Sequence, residues 1–235
     1  MTVTYQVLNM ANGGGSENLL INPRGKINQA NESDGVLSAG QYFCDGWKAG
    51  AAGAEVYRDA DGFRLISGSI LQLVPNNLDI GRTIKGNMDS ILGNPAIRIN
   101  GGTDSELSDD QPYITFEVFG NNSKFTRLIL AESEDLPIYQ QSSDELTPCK
   151  RFYQRVEHRM YTHAYSSTWY NADVVFECEM HATPALMINV SGIGAGADRE
   201  VDTAYTGKNF NKTKFHMSSS STSSYIDGYI ADARL

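Results

Sequence analysis

The sequence predicts an all-β protein: a jelly-roll β-sandwich followed by a smaller β-sandwich-like part. Three observations predict it. Several segments alternate apolar and polar residues with period two, which buries one face of a strand and wets the other. Turn sequences separate them: "NPRG" at 22–25, "DADG" at 59–62, "NGG" at 100–102 and "GNN" at 120–122. No stretch carries a sustained helical pattern, and 22 Gly, 12 Tyr and 9 Phe among 235 residues favour strands and tight turns.

The elements follow in order. Residues 1–17 read as an arm ending in "NGGGSEN", where consecutive glycines cost entropy to order. The segment is either a loose terminus or a docking arm. "GSILQLVP" is a dense apolar run suited to a central strand. In "PAIRING", Ile97 and Ile99 flank Arg98, and in "PYITFEVFG", Ile114, Phe116 and Val118 share a face. The acidic stretch 131–146 lacks periodicity and reads as a connector. The expected division is therefore arm 1–17, jelly roll 18–135 and C-terminal β domain 136–235. Beyond the connector, "SDELTPCKRF" offers a helix start around Pro148, and Phe152, Gln154 and Val156 alternate against Tyr153 and Arg155. We read a turn followed by a strand. "DVVFECEM" alternates through Val174, Phe176, Cys178 and Met180, and "ALMINVSG" puts Leu186, Ile188 and Val190 on one face. "SSSSTSS" at 218–224 is a surface loop or a polar edge strand.

Composition narrows function. A net charge of −9 argues against duplex binding, which needs clustered Lys and Arg, and against an anionic membrane surface. No apolar run approaches the roughly 20 residues of a membrane span. The opening residues lack the basic and apolar regions of a secretory signal. Three widely spaced cysteines, Cys44, Cys149 and Cys178, form no disulfide framework and suit free thiols. The chain is therefore expected to be made in a cytoplasm.

The chemistry-bearing residues favour binding over catalysis. Cys149 sits beside Lys150 and Arg151, which can depress a thiol pKa, but nothing in the sequence brings His158, His163 or His181 to it. No spacing suits zinc. "DADG" resembles the opening of a calcium loop, but Ile70 stands where the closing Glu belongs, so a hairpin turn is the better account. A calcium ion held by loop carbonyls stays open. "SGIGAGAD" (191–198) is not followed by the helix a dinucleotide fold needs. Glu177 and Glu179 would share a strand face about 6–7 Å apart, overlapping glycosidase carboxylate spacing, although a solvated strand face explains them as well. No cofactor and no metal are expected. Aromatics beside polar residues are the better resource, because a sugar's apolar face stacks on an aromatic ring. "QYFCDGWKAG" groups Tyr42, Asp45 and Trp47, and "SSTWYNAD" groups Trp169, Tyr170 and Asn171. Both Trp residues are also common core anchors.

Four ordered segments and the terminal residues carry a resemblance. "ELTPCKRFYQRV" (145–156) resembles the "ELxxCxRYYQR" signature of bacteriophage tail-fibre and related virion proteins. "ENLLINPRGKINQ" (17–29) is similar to the opening "NLLINGDFxIxQRG" of their carbohydrate-binding-like jelly roll. "AGQYFCDGWKAG" (39–50) resembles "AGxYxxDRW", and "FECEMHATPALMI" (176–188) resembles "FPVxMRATPTV". The terminal "YIADARL" looks like their "ADAEL". The departures are Pro23 and Arg24 for "GD", Gly46 for an arginine before Trp47, and His181 for an arginine before "ATP". The resemblance implies a non-enzymatic virion protein, made in the host cytoplasm and forming a homotrimer. It would be a capsid decoration or tail-fibre head that docks on other virion proteins through its arm and adheres to surface glycans. A purely structural capsid or tail cement protein and a polysaccharide-degrading glycosidase are the alternatives.

Overall fold

The computed structural model describes residues 17–157, 160–163, 169–189, 201–208, 210–216, 223–226 and 228–235. For residues 160–163, 169–174, 188–189, 201–206, 210–216 and 223–226 it describes backbone alone. The fold is all-β. One nine-stranded antiparallel sheet is built from β1 (Gly35–Leu37), β2 (Tyr42–Cys44), β3 (Trp47–Asp59), β4 (Gly62–Pro75), β5 (Thr83–Leu92), β6 (Ala96–Ile99), β7 (Ser105–Leu107), β8 (Tyr113–Phe119) and β9 (Ser123–Glu132). Its spatial order is β1-β3-β4-β9-β5-β7, with β2 on β3 and β8 joining β4 to β6.

β4 is the central strand that its apolar run predicts, and it changes partner along its length. Phe63 to Leu65 pair with β9, whereas Ser69 to Pro75 pair with β8. The change falls around Gly68, whose φ is +84° and where a Cβ would lie 2.3 Å from the Gly53 carbonyl oxygen. Only glycine fits a corner this tight, and the corner folds the sheet over itself as a sandwich. Between the layers, Trp47 packs against Phe63 and Phe116 at centroid distances of 5.3 and 6.1 Å, and Phe63 against Phe125 at 5.8 Å. Ile114, Phe116 and Val118 are all buried, as their alternation predicts. "DADG" is the two-residue hairpin between β3 and β4, with Asp59 paired to Arg64 and Lys124 and Asp61 to Arg24 and Lys26.

After the connector comes a short helix, the only one among the described residues, α1 (Leu146–Lys150), where the sequence suggests only a turn. Asp144 explains it, since its Oδ1 accepts the N–H groups of Leu146 and Thr147 at 3.1 and 2.9 Å. Eight strands follow: β10 (Tyr153–Val156), β11 (Met160–His163), β12 (Trp169–Val175), β13 (Ala185–Asn189), β14 (Val201–Thr206), β15 (Phe210–His216), β16 (Ser223–Ile226) and β17 (Gly228–Asp232). They form sheets β10-β17-β13, β11-β16 and β12-β15-β14. Val156, Phe176, Met180, Tyr229, Ala231 and Ala233 make a second, smaller core.

One strand ends earlier than its pattern predicts. "DVVFECEM" leaves the ladder after Val175, yet Phe176 and Met180 stay buried while Glu177 and Glu179 stay exposed. Gln154 replaces the missing strand partner. Its Oε1 accepts the Glu177 N–H at 3.0 Å and its Nε2 donates to the Cys178 carbonyl at 3.0 Å. Alternation therefore reports burial correctly and ladder pairing incorrectly. The "SGIGAGAD" stretch, His158, the arm 1–16 and most of "SSSSTSS" lie outside the described residues.

Candidate functional site

The turn "NPRG" organises the site. Asn22 adopts φ 48° and is buried, a conformation that Asn tolerates better than most residues. Its side chain bridges Ile27 and Asp45: Nδ2 donates to the Ile27 and Asp45 carbonyls at 2.8 and 3.1 Å, and Oδ1 accepts the Ile27 N–H at 3.0 Å. Its own carbonyl accepts the Trp47 Nε1–H at 2.9 Å. Trp47, expected as a glycan platform, is thus a fully buried core residue with its one polar atom satisfied. It offers no face to a ligand.

Asp45, expected to bind hydroxyls, is also internal. Its oxygens accept the Gln29 N–H at 2.7 Å and the Gln29 Nε2–H at 2.6 Å, and Gln29 Nε2 also donates to the Tyr153 carbonyl at 2.7 Å. Burial raises the Asp45 pKa, and the two Gln29 bonds work against that rise. Asp45 therefore fastens, through Gln29, the first β part to strand β10, and its burial keeps its carboxylate from a sugar.

Tyr42 joins the same seam. Its hydroxyl donates to the Leu235 carbonyl, and the Lys48 ammonium donates to the same oxygen. Burial pushes the Tyr42 phenol up to about 12. Arg234 stands between the Tyr42 and Tyr153 rings, 4.6 and 4.7 Å from their centroids, and pairs with Asp232 and Glu32. Such cation–π contacts gain strength when desolvated.

The signature stretch has the same role. Glu145 accepts from Arg24 Nε and Nη2 at 3.1 and 2.8 Å and from the Tyr139 hydroxyl at 3.0 Å. Arg24, a departure from the "GD" pattern, is thus the ionic partner of the signature's first residue. Cys149 is sealed, its Sγ–H donates to the Glu145 carbonyl at 3.2 Å, and burial drives its pKa far up. An inert structural thiol results, not a nucleophile. Phe152 stacks on His181 with centroids 5.1 Å apart, and Tyr113 of the first part meets the same imidazole edge-on at 6.1 Å. His181 is another departure, and it fits here as a flat ring between two others.

That imidazole carries a pH dependence. Burial first, then Arg151 and Lys208, lower its pKa below the ordinary value of about 6.5. Stability from neutral His181 is complete above that ordinary value and is lost as pH falls through the depressed one. Thermal unfolding followed from pH 7.5 to 5 should show a declining midpoint, with a shallower decline in His181→Phe.

The seam is open on one side, as a cleft of about 650 Å³. Its walls come from 17–23, β4 and the residues after it, the connector at 139–145, α1 and Phe152. Gly46 contributes to the floor, with φ +79° and no room for a Cβ, which would sit 2.7 Å from Ile21 and 2.8 Å from Gln72. A larger residue there, such as the arginine of the resembling pattern, would displace that wall. Tyr42, Tyr139 and Phe152 line the cleft as partly exposed aromatics, and Asn77, Gln140, Gln141 and Arg151 reach it as exposed polar groups. Of the selected residues whose side chains are described, Tyr42, Asp45 and Trp47, the cleft collects Tyr42 alone.

No family model matches the chain, and neither the curated proteins nor the solved structures provide a match. The site's meaning therefore rests on its geometry.

Trp169, Tyr170 and Asn171 lie on β12, opposite His216, Phe215 and Lys214 of β15, and their side chains fall outside the described residues. The carboxylate pair loses its premise, because Glu177 and Glu179 lie beyond the strand and Glu177 is ion-paired with Lys150. Among the described residues, no group of three His, Cys, Asp or Glu could hold a metal ion. Sequence reasoning misses Tyr139, Gln140, Gln141, Arg151 and Phe152 as cleft residues. The signal available is the run "YQQ" in an otherwise acidic connector.

Proposed function

We propose that the chain is a non-enzymatic bacteriophage virion surface protein, a capsid decoration or compact tail-fibre head, that adheres to surface glycans through the cleft at its seam. One observation carries the binding reading. The cleft falls within the usual size of ligand sites, about 300–1,000 Å³, and combines aromatic rings with uncharged amide side chains. Tyr139 and Phe152 supply apolar faces for sugar rings, while Asn77, Gln140 and Gln141 supply donors and acceptors for hydroxyls. The virion assignment rests on the four ordered resemblances, and the homotrimer and the arm's docking on other virion proteins come with it. Repetition on a particle lets weak single sites suffice, since linked sites gain about 10²–10⁴ in avidity. The candidate catalytic groups are otherwise engaged: Cys149 is sealed and Glu177 is ion-paired.

A structural cement reading draws on a different surface. Ile80, Leu107, Leu136 and Ile138 expose more than half of their area. Ile80 precedes β5, Leu107 ends β7, and Leu136 and Ile138 lie in the connector; a neighbouring virion subunit would cover them.

Titration with oligosaccharides released from the surface polysaccharide of a susceptible bacterium tests the binding reading. A Kd near 1 mM, about −4 kcal/mol, is expected for one site. Tyr139→Ala should weaken it at least tenfold with the fold retained. Absence of heat or spectral change at 10 mM oligosaccharide, about ten times that Kd, would remove the glycan from the account.

A further inference from the structure

We infer that the uncharged segment Thr2–Met10 of the chain's own N-terminal arm docks in this cleft when no glycan fills it, so that arm and glycan compete for one place. The inference deepens the binding reading, naming what regulates the site. Four observations carry it.

The first is position. Glu17 and Asn18, where the described chain begins, are themselves part of the cleft wall, together with Leu19 to Pro23. The arm is therefore attached at the rim of the cleft and not at a remote face. The second is reach. Asn12 to Ser16 include three consecutive glycines, and five residues span up to about 17 Å when extended, enough to turn back along the wall. Attachment at that distance gives an effective concentration of about 1 mM, so the contact needs only modest affinity.

The third is charge. Residues 1–16 contain no Asp, Glu, Lys, Arg or His. Of the charged groups in the cleft, Glu145 pairs with Arg24 and Arg234 with Asp232 and Glu32, while Glu17, Asp144 and Arg151 present exposed charges of both signs. Asp144 has one oxygen committed to the start of α1. An uncharged strand is repelled by neither sign, whereas a strand of either charge would meet a like charge at Arg151 or at Glu17 and Asp144. The fourth is apolar complementarity. Leu19, Ile21, Leu73, Pro75 and Phe152 line the cleft and are only partly buried. In "TVTYQVLNM", Val3, Tyr5 and Val7 fall on one face at period two, with Thr4 and Gln6 on the other. An extended peptide laid in the cleft would bury that face and leave the polar one in water.

A consequence links assembly to adhesion. If the arm is drawn onto another virion protein, the cleft is vacated, and the glycan then binds without competition. Mass action sets the size of the effect. An arm held at about 1 mM with an intrinsic Kd of about 0.1 mM reduces apparent glycan affinity roughly tenfold.

The test uses the full chain with a photoreactive benzophenone in place of the Tyr5 side chain. Irradiation of a mixture of isotopically heavy and light chains, followed by peptide mass spectrometry, locates the contact. Cross-links within one chain to residues 72–77, 139–148 or 151–152 are the expected result. Adding Val3→Asp and Val7→Asp should abolish them and raise oligosaccharide affinity about tenfold, with an unchanged unfolding midpoint. Heavy-to-light cross-links would overturn the inference in favour of a second copy's arm, and cross-links elsewhere, or none, would overturn it outright. The cross-linking result does not involve sugar. A failed oligosaccharide titration with intra-chain cross-links would therefore count against the glycan and leave the arm's place standing.

Discussion

Trp47→Ala is expected to destabilise the first β part by about 3–5 kcal/mol, the largest effect of any single truncation of its core. The indole is fully buried, touches Phe63 and Phe116, and donates its N–H to the Asn22 carbonyl. Removing it opens a cavity between the sandwich layers and leaves an acceptor at the turn that shapes the cleft wall. Trp47→Phe separates the two contributions. It restores most of the packing and loses only the hydrogen bond, about 0.5–1.5 kcal/mol. Denaturant unfolding of both variants gives the values. Oligosaccharide affinity in Trp47→Phe should equal that of the parent, because no part of the ring faces the cleft. A tenfold loss of affinity in that variant, with its fold intact, would return Trp47 to the role that the sequence suggests.

Gln154→Leu is the second large effect. Gln154 is 1% exposed and occupies the place of a strand partner for the segment after Val175. Leucine keeps the volume and leaves the Glu177 N–H and the Cys178 carbonyl unpaired. Each group costs about 1–3 kcal/mol if it stays buried, so a loss of roughly 3 kcal/mol is expected. The loss should be local in origin. Amide exchange at Glu177 should accelerate about 100-fold, whereas the amides of β4 and β8 keep their protection. Equal acceleration in both parts would mean that the seam couples them into one cooperative unit.

These two residues show what could be read in advance. Alternation alone locates β6 and β8 with the correct faces, since Ile114, Phe116 and Val118 must be hidden together if any one is. The apolar density of 68–75 marks β4 as central for the same reason. The early end of β12 is not legible, because Phe176 and Met180 obey the strand pattern while a side chain 23 residues earlier makes the hydrogen bond. Nor is the site. A buried polar seam and a sugar-binding surface draw on the same residue types: Tyr, Trp, Asp, Asn and Gln. Asp45 and Trp47 look like ligand groups until Gln29, Asn22 and Tyr153 are placed around them. Those placements depend on contacts across 124 residues for Gln29 and Tyr153 and 121 for Arg24 and Glu145. Local sequence holds no record of such distances. The signature stretch is legible as special and illegible as to why: its residues hold two β parts together, and the cleft is what that joint leaves open.

Hydrogen–deuterium exchange of the chain carrying Val3→Asp and Val7→Asp, whose arm leaves the cleft free, with and without saturating oligosaccharide, tests the cleft as the glycan site most directly. The account predicts slowed exchange confined to residues 72–77, 139–148 and 151–152. Protection on the β5 and β7 edge instead, with those three segments unchanged, would contradict it.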